Sequence, residues 1–318
     1  MRGSKTGKLT LQAATAALLL LAITECVLRL GLGFGRPLLY IPDARAGYIP
    51  APNQDLRRLG ARIHINEHGM RSDSVRDPKP VPERRLLLIG DSVTFGTTYV
   101  GQESIFASLV ERGLNGDHGV GAEVLNASAG GWAPENEYQY LLSRGTFDAD
   151  LVIFVVNTND LGQPFEPFKA SPQFPIKDPW TATGEVLERY VAPRILSGIQ
   201  IADPGSAPTS EPDPAIELRV LQALSQASAF ARNHGAVFML VFSPTDAVEM
   251  KTPAWRTAIE NLESWAHDSH VVLIDMTPSY SQYTRDEVYF DGLHLRPFGH
   301  RLVAAKILSE VEKFYGTH

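Results

Sequence analysis

From Arg84 onward the chain alternates short, wholly apolar runs with stretches of helical periodicity, and this rhythm constrains its fold more than any other feature. The runs are Leu86–Ile89, Val124–Leu125, Leu151–Val156, Val237–Phe242 and Val271–Ile274. They are rich in Val, Ile, Leu and Phe and lack polar alternation, as strands buried on both faces do. The spacing predicts helices at Ile105–Leu114, Glu135–Leu142, Ile216–Asn233, Ala254–Ala266 and from about Gly299 to Phe314. Such alternation predicts an α/β fold, a doubly wound parallel sheet of five strands with helices on both faces. Ligands on these sheets bind beyond the carboxyl ends of the strands.

Four short motifs fall at those strand ends. The first run leads into Gly90-Asp91-Ser92, followed by Val93, Thr94, Phe95 and Gly96. A serine there, entering a turn toward a helix, is placed to be exposed, and its own N–H can point at a developing oxyanion. Such a triplet alone also makes ordinary turns. Near the other end stands Asp291-Gly292-Leu293-His294. An aspartate three residues before a histidine can hold the imidazole tautomer, leaving the other ring nitrogen to take a proton from serine. A surface Asp and His can equally be no more than solvated. After the second run comes Asn126-Ala127-Ser128-Ala129-Gly130-Gly131-Trp132, whose glycines allow close backbone approach. After the third comes Asn157-Thr158-Asn159-Asp160, where a side-chain amide can donate. Donors aimed at an oxyanion are each worth on the order of 10²–10³ in rate. Weak singly, the four motifs together point to a serine hydrolase.

On these blocks the sequence resembles the SGNH/GDSL hydrolase family, over roughly Arg84 to Phe314. The resemblance implies a three-layer flavodoxin-like fold with Ser92, in "GDSVTFG", as nucleophile. It further implies an oxyanion hole of Ser92, Gly131 in "NASAGGW" and Asn159 in "NTND". Asp291 and His294, in "DGLH", match the family's acid and base. The family's third block usually reads Gly-x-Asn-Asp, and here Asn157 replaces the glycine. Asn tolerates left-handed backbone angles better than most residues, so the loop is expected to survive. The segment "INEHGMRSD", Ile65 to Asp73, resembles the lead-in of membrane-anchored bacterial members; the sequence assigns it no role.

At the N-terminus, Arg2, Lys5 and Lys8 precede an uncharged stretch from Leu9 to Thr24, and the apolar run continues past Glu25 through Leu28. A membrane-spanning helix needs about 20 mostly apolar residues. This one reaches that length if Glu25 is tolerated near the far interface, where Arg29, four residues on, can pair with it. A cleaved signal peptide competes, but an A-x-A-type site is missing after the Leu run. Glu25 directly before Cys26 argues against a lipoprotein signal. Residues 1–36 are therefore read as an anchor, with the basic end cytoplasmic and the rest exported, in a bacterium to the periplasm. Residues 37–83 read as an extended connector packing on a hydrolase domain, 84–318. An insertion, 161–214, breaks the domain's rhythm. Its aromatics (Phe165, Phe168, Phe174, Trp180 and Tyr190) either line a substrate cleft or cover apolar surface, and Asp203–Pro214 reads as a flexible loop.

A formal net charge of −7, with no Lys/Arg run in the body of the chain, argues against nucleic acid as partner. Cys26 is the single cysteine, which excludes intrachain disulfides and a cysteine-based zinc site. No cofactor or metal is implied. His64 and His68 lie in a stretch that does not read as helical, His267 and His270 precede the fifth strand, and His300 falls on the last helix for structural reasons. The family resemblance, together with export, implies hydrolysis of a small acyl ester, acetyl above all, on an envelope or extracellular polysaccharide. An O-acyltransferase with the same triad would transfer to an added oligosaccharide. A lipase or lysophospholipase would prefer long chains, and a non-catalytic glycan-binding module would bind regardless of Ser92→Ala.

Overall fold

A long apolar helix, α1 (Gly3–Cys26), leads the chain and runs into a π-helical turn, Val27–Gly31. The computed structural model describes residues 3–117, 121–196, 211–246 and 251–316. Two antiparallel hairpins follow α1: β1 (Tyr40–Asp43) with β2 (Gly47–Pro50), and β3 (Gln54–Arg58) with β4 (Ala61–Ile65). The stretch expected to be an extended connector is thus folded on itself. Leu59 (φ 49°) and Gly60 (φ 86°) turn the second hairpin, both left-handed, as the favoured two-residue turn requires.

The five apolar runs form one parallel sheet: β5 (Arg84–Gly90), β6 (Ala122–Ser128), β7 (Leu151–Asn157), β8 (Val237–Ser243) and β9 (Val272–Asp275). Their spatial order is β6-β5-β7-β8-β9. This is the flavodoxin-like order, with the topological switch point between β5 and β7. Successive residues of β5 face opposite layers. Leu86 and Leu88 join a buried cluster with Phe106, Val110, Val303 and Ile307, on α3 (Phe106–Asp117) and α11 (Pro297–Gly316). Leu87 and Ile89 join the other cluster, with Leu141, Leu224 and Leu262, on α4 (Pro134–Arg144), α7 (Pro214–Asn233) and α8 (Pro253–Asp268). Burial on both faces is why these strands read as unbroken apolar runs. Each fully buried Leu or Ile contributes roughly 1.5–3 kcal/mol.

The hairpins extend the second cluster. Tyr48, Ile63, Ile65 and Met70 are buried in it, and Trp132 Nε1 donates to Tyr48 O at 2.9 Å. In the insertion, residues 163–181 form no helix or strand before α5 (Ala182–Val186), a second π-helical turn and α6 (Ala192–Leu196). Of the expected flexible loop Asp203–Pro214, residues 203–210 lie outside the described residues, and Pro214 already begins α7.

Candidate active site

Strand β5 ends at Gly90, and Asp91 caps a single helical turn, α2 (Ser92–Phe95), its Oδ1 accepting from Val93 N at 2.8 Å. Aspartate is favoured at this position because its oxygen satisfies an amide that the helix leaves without a partner. Ser92 therefore stands just beyond the carboxyl end of β5, beside the switch point.

His294 arrives from the other end of the chain on a closed loop. Phe290 N donates to His294 O at 2.9 Å, Arg296 N to Val288 O at 2.8 Å, and Tyr289 bridges Leu295. Helix α11 begins three residues after His294. Asp291 Oδ1 accepts from the backbone N–H groups of Leu293 and His294, at 3.0 and 2.8 Å. Its Oδ2 lies 2.6 Å from His294 Nδ1, and His294 Nε2 lies 3.0 Å from Ser92 Oγ. With Nδ1 donating to a carboxylate, Nε2 is the acceptor, and the Ser92 hydroxyl is placed to donate to it. Burial alone would raise the Asp291 pKa, but the His294 ring and the two backbone donors hold it below the usual carboxylate value. The carboxylate thus stays charged beside the imidazole.

Ser92 Oγ also lies 3.3 Å from Asp91 Oδ2. Asp91 is raised, by burial first of all, against the pull of Val93 N–H, His294 and Asn157. Its Oδ2 accepts from Asn157 Nδ2 at 3.0 Å, and Asn157 Oδ1 accepts from Asn159 N at 2.8 Å. Asn157 does not adopt the left-handed geometry that its place in the motif invites: it closes β7 in register with Ser243. Its side chain instead bridges the first and third loops. Asn159 Oδ1 accepts from Thr245 Oγ1 at 3.1 Å, which leaves Nδ2 as the end of that amide able to donate elsewhere. Beneath this loop Glu137 and Asp160 are fully buried. Burial, then the charge of neighbouring acids, pushes both pKa values well up, favouring their protonated forms.

The second loop brings Gly131 to the same place. Its φ of 80° is left-handed, and a Cβ there would meet Tyr48 Oη at 3.0 Å and Phe174 Cζ at 3.4 Å. Only glycine meets both constraints. A Cβ on Gly130 would lie 3.8 Å from both Ser92 Cβ and Tyr40 Oη. The five residues singled out in the sequence thus converge at one end of the sheet, Ser92, Asp291 and His294 in direct contact and the Gly131 and Asn159 loops around them.

Sequence reasoning missed the residues holding these loops. Tyr48 Oη donates to Gly130 O at 2.7 Å and Gln163 Nε2 to Gly131 O at 2.7 Å. Arg71, in the segment without an assigned role, is buried and donates to the carbonyls of Phe95, Thr97 and Val100 at 2.7, 2.5 and 2.6 Å. It ties down the loop that follows Ser92. None of these residues carries a motif of its own; Gly69 and Asn66, which shape the Arg71 turn, were the nearest signal. The aromatics of the insertion divide. Phe168 and Phe174 pack against Tyr48 beside the Gly131 loop, whereas Tyr190 packs on Phe34 and the Trp180 side chain is exposed.

The sequence pattern of the GDSL-like lipase/acylhydrolase family matches residues 88–302. No curated protein matches the chain. Similar solved structures include a catalytic mutant of an acetylxylan esterase from Geobacillus stearothermophilus, 14% identical with a TM-score of 0.46, covering 72% of this chain and 94% of that one. The lipase/acylhydrolase from Enterococcus faecalis is 17% identical with a TM-score of 0.45, covering 72% and 96%. TesA is 15% identical with a TM-score of 0.48, covering 72% and 99%.

Proposed function

The chain belongs to the GDSL-like lipase/acylhydrolase family, and from that premise we propose that Ser92, His294 and Asp291 carry out a two-step acyl transfer. His294 Nε2 takes the Ser92 proton as Oγ attacks an ester carbonyl. The N–H groups of Ser92 and Gly131 and the Asn159 side chain receive the oxyanion. His294 then protonates the leaving alcohol, and a water activated by the same ring releases the acid. Asp291 holds the tautomer and stabilises the imidazolium. The observation that carries this reading is the unbroken contact from Asp291 Oδ2 through His294 to Ser92 Oγ, at 2.6 and 3.0 Å.

The acyl group is short, acetyl in the first instance, carried on an envelope or extracellular polysaccharide. Tyr40, Tyr48 and Phe174 crowd the Gly130–Gly131 side of the site, which supports a small acyl group over a long one. Residues 84–318 form the hydrolase domain, residues 37–83 complete its wall, and residues 1–36 anchor it in a membrane with the site outside the cytoplasm. A continuous helical stretch from Lys8 to Gly31, whose most apolar 18 residues have mean hydropathy 1.9 and lie unburied, supports the anchor.

Hydrolysis of nitrophenyl esters from acetyl to long chains, by the full chain in detergent and by Ser92→Ala, tests the reaction. Turnover that favours acetyl and vanishes in Ser92→Ala is expected. Wild-type turnover in Ser92→Ala would overturn the mechanism, and a preference for long chains would overturn the substrate class. Resistance of the chain to alkaline extraction from membranes tests the anchor.

A further inference from the structure

The junction between α1 and the domain is built, not slack. Glu25 accepts from Ala182 N, Thr183 N and Thr183 Oγ1 at 2.8, 2.9 and 2.9 Å, while Arg29 pairs with it at 2.9 Å and reaches Trp180 O at 3.4 Å. Gly35 N donates to Glu185 Oε2 at 2.6 Å, and the other oxygen of Glu185 pairs with buried Arg58. The span is thus fastened to the insertion at two successive points. Glu25, the one charge interrupting the apolar run, is where the catalytic domain grips its helix.

The geometry points to a membrane-docking face on the insertion, formed by Trp180, Leu187 and Ile176, whose occupant is the lipid bilayer that α1 crosses. This inference rests on the anchor reading above. From Leu9 to Glu25 the helix rises about 24 Å at 1.5 Å per residue, against a hydrocarbon core of about 30 Å. Glu25 and whatever touches it therefore lie within roughly one helical turn of the far interface. Trp180 flanks the helix at that depth with its side chain 96% exposed, and tryptophan is the residue enriched at that depth. Leu187 follows Thr183 by four residues, so it projects from the face that holds Glu25, and it too is exposed. Ile176 and Trp180 line one cleft of about 530 Å³ with Pro172, Pro175 and Lys177. Asp178, Glu188 and Arg189 line the same cleft, and the boundary between lipid tails and headgroups accommodates both sets, the apolar groups toward the tails and the charged ones toward the headgroups.

Docking also fixes the height of the active site. Phe174, beside Gly131, and Trp180 are six residues apart, so their Cα atoms are separated by no more than about 22 Å. The site works within a few nanometres of the bilayer and not at the end of a long tether.

Bimane labelling of single-cysteine forms of the full chain, in phosphatidylcholine vesicles carrying doxyl-labelled acyl chains, tests this. The native Cys26, exposed at the end of α1, reports whether the helix is in lipid. Trp180→Cys and, as control, Asp268→Cys at the exposed end of α8, each with Cys26→Ser, report the domain. Docking predicts quenching and a blue shift in the Trp180→Cys form comparable with those at Cys26, and neither in the Asp268→Cys form. Quenching at Cys26 with a Trp180→Cys signal no different from the control would overturn the docking face and leave the anchor standing. No quenching at Cys26 would overturn both.

Discussion

Tyr48 Oη donates to the carbonyl oxygen of Gly130 at 2.7 Å. The peptide joining Gly130 to Gly131 is planar and trans, so its C=O and N–H point in opposite directions. A donor that fixes the carbonyl of Gly130 also fixes where the N–H of Gly131 points. Burial pushes the Tyr48 phenol pKa far up, which favours the neutral, donating form. Tyr48 lies on β2, outside the stretch matched by the family pattern.

Tyr48→Phe removes that hydroxyl and leaves the ring packing in place. Its kcat is expected to fall about tenfold, less than the 10²–10³ for deleting an oxyanion donor itself, while KM holds. Stability should drop by only about 1 kcal/mol. Steady-state kinetics with an acetyl ester, together with a urea melt, separate positioning from folding. An unchanged kcat would show that the Gly131 N–H needs no such hold.

Asn157→Gly restores the residue that the family's third block usually carries, and here it should do harm. It removes one donor to buried Asp91 and the acceptor of Asn159 N. Each buried group left without a partner costs about 1–3 kcal/mol. Lower kcat and a lower urea midpoint are expected together; wild-type values for both would mean that the bridge is incidental.

Arg71→Met keeps bulk but strips donors from the carbonyls of Phe95, Thr97 and Val100. The loss should reach at least about 3 kcal/mol, given that several buried acceptors go unpaired at once. Chemical denaturation reads this directly. Where the variant still folds, faster amide exchange at residues 95–100 is expected.

Glu111, on α3, has its pKa raised from 4.5 to about 7, by burial first and then by the charge of Asp73. Below pH 4.5 folded and unfolded chains both hold the proton. As pH rises toward 7 the unfolded chain releases it first, so the folded chain holds more protons and stability falls with pH across that window. The contribution is no more than about 3 kcal/mol. Thermal melts across this window should show a shallower decline for Glu111→Gln than for the native chain; parallel curves would exclude the effect.

Much of this architecture is legible in the sequence. The five runs read as strands because burial on both faces demands unbroken apolar residues, and helix ends such as Pro214 and Pro253 shifted only by a residue or two. The pairing of Asp291 with His294 was legible because three residues on one turn bring the groups together. The hairpins were not, since Leu59-Gly60 makes a left-handed turn without the Asn-Gly or Asp-Gly signature. The motif points to the backbone of Asn157, whereas its side chain does the bridging.

The sequence by itself determined the layers of the fold, the order of the strands along the chain and the four loops at one end of the sheet, because periodicity and turn chemistry are written in neighbouring residues. The tertiary structure alone decided what meets across those loops. Ser92 and His294 are 202 residues apart and come within 3.0 Å. Tyr48 finds Gly130 from 82 residues away, Thr245 finds Asn159 from 86, and Glu25 finds Thr183 from 158. Such contacts depend on how strands and helices stack, and a hydrogen bond set by that stacking leaves no local pattern in the chain that makes it.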